Sequence, residues 1–205
     1  IKSAMRLDPD VIMIGEVRDT PSARLAVQAA MTGHQVWTTV HANNALAILD
    51  RLIDLGVPLE LLADASIITG LICQRLLKVL CPQCKTPIND VLDRYSQTDL
   101  QRIMSVAELE KVYVLGNGCE NCRGTGIVGR TVVAETVLTD DKLLSFIRKH
   151  DKLGAIAYWR NELRGLTMRD HALLKVIQGT VDPFQAEATV GRLVKSDDAL
   201  HNHRR

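Results

Sequence analysis

The sequence has 205 residues, enough for one large domain or two modest ones with a proper core. At 46% hydrophobic and 24% charged it has the composition of a soluble globular protein, and a net charge of +1 gives no electrostatic ground for a nucleic-acid partner. No run of eighteen apolar residues and no signal-peptide pattern occur, so any membrane role is expected to come through a partner.

Residues Ile1 to Arg6 lead directly into the apolar run Val11 to Ile14, bounded by Pro9 and Gly15. A short run with punctuated ends predicts a strand buried on both faces, as inside a parallel sheet. One strand cannot nucleate such a sheet, so the chain is expected to be the C-terminal part of a longer protein. Glu16 falls just beyond the strand's carboxyl end, where α/β sheets bind ligands, with Arg18 and Asp19 close behind. A carboxylate there can reach Mg²⁺ or orient a water. A charged residue also suits a buried strand that simply returns to solvent.

Asp19 or Thr20 caps a helix with Pro21 in its first turn, and the helix carries Leu25, Ala26, Ala29 and Ala30 up to Gly33. The β-branched segment Gln35 to His41 reads as a second strand, completing a βαβ unit. Glu16 and His41 are then delivered to one sheet edge. Asn43 or Asn44 caps a helix that ends at Gly56. From Pro58 the spacing of Leu59, Leu62, Ile67, Leu71 and Leu76 predicts a longer helical region. Cys73 is assigned to packing on that helix, and Arg75 is a surface cation or salt-bridge partner before it is anything catalytic.

Beyond Cys81 the chain becomes more polar, with two short helices expected between Lys85 and Lys111 and strands near Val112–Leu115 and Arg130–Leu138. Four helices are expected after that, over 141–150, 152–163, 167–178 and 183–194, followed by a frayed tail with His201 and His203. Aromatics are only 3% of residues, so the core must rely on Leu, Ile, Val and Ala.

Four of the five cysteines form two C-x-x-C pairs, Cys81/Cys84 and Cys119/Cys122. Each pair brings two thiolates to one side of a tight turn, and two such turns complete a tetrahedral S₄ site for structural zinc with no open position for water. A redox pair or ordinary buried cysteines are the competing readings. Gly124, Gly126 and Gly129 fit G-x-G-x-x-G, but a dinucleotide motif must follow a strand and open a helix. Here it follows a cysteine pair and opens a β-branched segment, so the glycines are read as the turn leaving the knuckle.

Taken together, three stretches resemble one family. Arg6 to Asp19 resembles the Walker B region of the secretion ATPase superfamily, and Gly33 to Asn44 its His box. Gln74-Arg75-Leu76, followed by the two cysteine pairs, is similar to the tetracysteine branch of type II secretion and type IV pilus assembly ATPases. The resemblance implies an α/β fold: part of a RecA-like core over 1–80, a tetracysteine zinc subdomain over 81–138 and a helical region over 139–205. It implies that Glu16 positions Mg²⁺ and water, that Arg18 structures the site and that His41 lies near the γ-phosphate. Arg6 and Asp10 match motif positions too, with a fold role as natural as a catalytic one. The implied cofactors are ATP, Mg²⁺ and structural Zn²⁺. The implied assembly is a cytoplasmic homo-hexamer acting through an inner-membrane platform protein to drive pilus or pseudopilus assembly. No G-x-x-x-x-G-K-[ST] occurs and the family's acidic box is absent, so both are expected upstream and this stretch alone is not expected to hydrolyse ATP. Alternatives are a zinc-stabilised adaptor with a vestigial nucleotide fold, a retraction ATPase or a type IV secretion ATPase.

Overall fold

The computed structural model describes Leu7 and residues 9–194; Arg6 and the tail histidines lie outside these. The chain forms two compact units, one from Ile1–Cys73 with Thr136–Leu163, the other from Gln74–Glu135 with Arg164–Arg205. These units interleave along the sequence, whereas the expected segments 1–80, 81–138 and 139–205 follow one another.

In the first unit, β1 (Val11–Ile14) pairs in parallel with β2 (Gln35–Thr38), Val11 opposite Gln35 and Ile14 opposite Thr38. Helix α1 (Thr20–Met31) connects them. The Asp19 carboxylate accepts from the Ser22 N–H in a capping box, and Pro21 sits in the first turn. Its buried face is made of small residues, Ala23, Ala26, Val27 and Ala29, which lets it lie close to the strands. Within the described residues strand β1 is covered on one face. Ile12 and Ile14 are buried, while Val11, Met13 and Trp37 are at least half exposed on the opposite face. The two-residue alternation of a strand gives α1 only one face to cover.

Helix α2 (Ala47–Asp54) follows Asn44, whose side-chain oxygen accepts from the Ala47 N–H. The long helix expected from Pro58 does not form. Helix α3 (Leu59–Leu62) is a single turn, and Gly70–Leu80 is an eleven-residue strand, β3. Leu71, Cys73 and Leu77 are buried at period two, while Ile72 and Leu76 are exposed. Apolar residues on both faces hid that alternation and imitated a helical stripe. After Cys81 come the short strands β4 (Thr86–Pro87) and β5 (Tyr113–Val114), which pair antiparallel, and the long strand β6 (Ile127–Leu138). Strands β3 and β6 pair, with Thr139 N–H donating to Thr69 O near one end and Cys81 N–H to Gly126 O near the other. The first unit is completed by α5 (Asp141–Arg148) and α6 (Lys152–Asn161), where the Trp159 indole N–H donates to Thr136 O.

The second unit holds a 3₁₀ stretch over Ile88–Arg94, α4 (Gln97–Met104), α7 (Met168–Ile177) and α8 (Pro183–Val190). They enclose a core around Leu77, Ile88, Ile103, Val112, Val133 and Leu173. Asp182 is 4% exposed and caps α8 through the N–H groups of Phe184 and Gln185. Its other oxygen accepts from the Leu115 N–H at 2.9 Å, so this carboxylate fastens the segment that leads to the second cysteine pair. Burial pushes its carboxyl above the ordinary aspartate range, against the three N–H donors that pull it down.

Candidate functional site

The parallel register of β1 and β2 sends the chain out of both strands on the same side, at Gly15 and at Thr39. There the two exits are stitched together: Val17 N–H donates to Thr39 O at 2.9 Å, and the Thr39 hydroxyl donates to Gly15 O at 2.5 Å. Glu16 and His41 flank these bonds. The Glu16 carboxylate meets the Arg18 guanidinium at 2.5 Å through one oxygen and His41 Nε2 at 3.2 Å through the other. The three predicted residues of this edge are thus in contact. Glu16 is the sheltered one, with its side chain 22% exposed, against 77% for Arg18 and 92% for His41.

The Arg18 hydrogen bond holds the Glu16 carboxyl below its usual range; partial burial opposes this, and the Arg18 and His41 charges add to it. An ionised carboxylate just beyond a sheet's carboxyl edge can take a hard cation or a water proton where these exchange with its Arg18 or His41 contact. Asp10 lies at the other end of β1, where its carbonyl accepts from Gln35 N–H, a strand-pairing role away from Glu16. Cys73, assigned to packing, is buried in β3 with its thiol 3.6 Å from Ala42 O.

The second cluster lies in the other unit. Cys81, Cys84, Cys119 and Cys122 place their Sγ atoms within 4.8 Å of one another. Cys81–Cys119 is 3.7 Å, and Cys84–Cys122 and Cys119–Cys122 are each 3.8 Å. None of the four is in a disulfide. Four sulfurs held at ~2.3 Å from one Zn²⁺ in a tetrahedron stand about 3.8 Å apart, and these three edges match that spacing.

Local backbone explains the preformed geometry. In the first knuckle the N–H groups of Cys84 and Lys85 both donate to Cys81 O. In the second, a 3₁₀ turn over Glu120–Cys122 ends at Arg123 in the left-handed region, and Gly124 N–H donates to Cys119 O. Two glycines between the pairs have no substitute. A Cβ on Gly116 would strike the Cys84 carbonyl, and one on Gly118, at φ +89°, would strike the Gly124 backbone. Sequence spacing pointed to the four cysteines but not to Gly116, Gly118 or Asn121. The Asn121 amide donates to Cys81 Sγ at 3.4 Å. The only available signal was that Gly116, Gly118, Gly124 and Gly126 crowd around one C-x-x-C pair.

The sulfurs are electrostatically unequal. Hydrogen bonds led by Asn121 lower the Cys81 thiol, and backbone N–H donors led by Cys119 lower Cys122 to about 6. Burial pushes Cys84 up to about 12.

A family model described as "Type II/IV secretion system protein" matches residues 1–191. The type II secretion system protein E of Dickeya dadantii is 39% identical over 181 residues, covering 87% of this chain and 34% of that protein. The type IV pilus assembly ATPase TfpB of Acinetobacter baylyi is 38% identical over 156 residues, covering 76% of this chain and 26% of that protein. The chain therefore spans about a quarter to a third of the length of these curated relatives. The crystal structure of the pilus retraction motor PilT with bound ADP superposes with a TM-score of 0.61 at 22% identity, covering 100% of this chain and 44% of that one, a likeness of fold.

Proposed function

Because the chain belongs to the type II/IV secretion system protein family, we propose that it is part of an ATPase motor for pilus or pseudopilus assembly and protein secretion. The observation that supports this reading most is the pairing of Glu16 with His41 at the carboxyl ends of two parallel strands. Glu16, held ionised by Arg18, binds Mg²⁺ or orients the attacking water. Bound Mg²⁺ supplies neutralisation of the β- and γ-phosphate charge. His41, mostly exposed and attached to Glu16 by one contact, is placed to meet a terminal phosphate and to register its loss. The reaction is in-line attack of water on the γ-phosphorus: one P–O bond forms as the bond to the bridging oxygen breaks, ADP leaves, and the proton lost by the water ends on inorganic phosphate or in solvent. No G-x-x-x-x-G-K-[ST] occurs in this sequence, and in this reading the phosphate-cradling loop is supplied by other residues of the complete protein.

In this reading Cys81, Cys84, Cys119 and Cys122 hold structural Zn²⁺, which ties the two knuckles together and leaves no position for a substrate. The motor works as a cytoplasmic homo-hexamer coupled to the membrane by a platform protein. Among the described residues no helix is long and apolar enough to cross a membrane. The test is made on the complete protein. Glu16→Gln should lower ATP turnover by about a hundredfold or more while nucleotide still binds, and turnover at the wild-type rate would overturn the assignment. His41→Ala should retain nucleotide binding and lose secretion or pilus output; unchanged output would remove the sensor role.

A further inference from the structure

The four cysteine sulfurs differ in what shields them. Cys81 Sγ accepts from the Asn121 side-chain amide at 3.4 Å and from the Gln83 backbone N–H. Cys122 Sγ accepts from the backbone N–H groups of Cys119 at 3.2 Å and Gly126 at 3.1 Å. These same two cysteines are the buried ones. Cys84 and Cys119 are half-buried, and among the described residues neither sulfur receives an N–H bond. The Cys119 thiol lies 3.9 Å from the Gln83 side-chain carbonyl oxygen, an acceptor.

An N–H···S bond draws on the lone pairs that a metal-bound thiolate would otherwise offer to an electrophile, and burial blocks the approach. Surroundings that orient and charge-balance a ligand thus also decide its reactivity. Here the N–H bonds fall on Cys81 and Cys122, which are also the more deeply buried pair, while Cys84 and Cys119 are only half-buried.

We propose that Cys84 and Cys119 are a modification site for soft electrophiles, at which alkylating agents and hydroperoxides attack the zinc-loaded cluster first. With an alkyl iodide the thiolate sulfur attacks carbon, a C–S bond forms, the C–I bond breaks and iodide leaves. The resulting thioether is neutral and a poor ligand, so zinc is released. With hydrogen peroxide the sulfur attacks oxygen, an S–O bond forms, the O–O bond breaks and hydroxide leaves. The sulfur is oxidised to sulfenic acid as the peroxide is reduced. Asn121 is a positioning residue in this scheme, since its amide keeps Cys81 out of the reactive set.

The proposal rests on the structural-zinc reading, and the experiment separates the two. Zinc is measured first, and the zinc-loaded protein is then treated with one equivalent of iodoacetamide. Labelled peptides are mapped by mass spectrometry and zinc release is followed with a chromogenic chelator. Labelling at Cys84 and Cys119 should exceed that at Cys81 and Cys122 by about tenfold, with zinc release in step. The exposed substitution Asn121→Ala should raise labelling of Cys81 several-fold and leave Cys122, whose donors are backbone, unchanged. Even labelling of all four, or Cys81 and Cys122 leading, overturns the proposal while the zinc reading stands. Protein that carries no zinc before the reagent is added overturns both.

Discussion

The strand-end cluster and the cysteine cluster are built on opposite plans. Around the cysteines the loops are tightly braced: backbone N–H groups point at two sulfurs, glycines let the two loops touch, and a buried carboxylate anchors the connecting segment. At the strand ends two hydrogen bonds fix the exits, and beyond them Arg18 and His41 stand largely in solvent. A closed ligand set has no use except to hold the chain, and an open one holds little but can bind something else. Changes in the first region should therefore register as stability, and changes in the second as chemistry.

The largest effect should come from removing the metal. Chelation should lower hydrogen-exchange protection around Cys81–Lys85 and Cys119–Gly126 by about a hundredfold or more and leave that of α1, β1 and β2 intact. Loss of protection across both units would break the contrast. Gly116→Ala should come next, costing about 2 kcal/mol or more of stability because its methyl collides with the Cys84 carbonyl. Denaturant unfolding would measure this, and a neutral result would mean that the knuckles are looser than described.

Asp182→Asn sharpens the same side. It replaces one of the two acceptor oxygens by an NH2, so either the Leu115 N–H or the N–H groups of Phe184 and Gln185 lose their acceptor, and should cost about 1–3 kcal/mol. The pH dependence has a definite sign. Burial raises the folded carboxyl above its unfolded value of about 3.9, so between the two values the folded state holds a proton that the unfolded state has released. The wild type's advantage over the variant should grow as pH falls through that window and shrink as pH rises through the folded value. Unfolding titrations at several pH values test this, and a constant difference contradicts it. Smallest is Arg18→Ala in the complete protein. Removing the guanidinium lets the Glu16 carboxyl return upward, so the acid limb of the ATP turnover profile should move to higher pH with little change in stability. An unmoved acid limb would deny Arg18 that influence.

Legibility in the sequence followed how local the signal was. Asp19, Asn44 and the two C-x-x-C pairs act within three or four residues, and each has the predicted partner or neighbours. The meeting of Glu16 and His41 was readable because a βαβ unit fixes which strand ends coincide. Strand β3 was misread because Ile72 and Leu76 fill the face that should have been polar. Asn121 and Gly116 act on residues far away in sequence, Cys81 and Cys84, and no spacing rule reaches them.

The division of labour between the two regions is tested most directly by one variant read twice. Glu16→Gln in the complete protein should lose ATP turnover by about a hundredfold or more while its zinc content and hydrogen-exchange pattern match the wild type. Turnover that persists, or a loss of turnover accompanied by loosening of the cysteine region, would contradict the account.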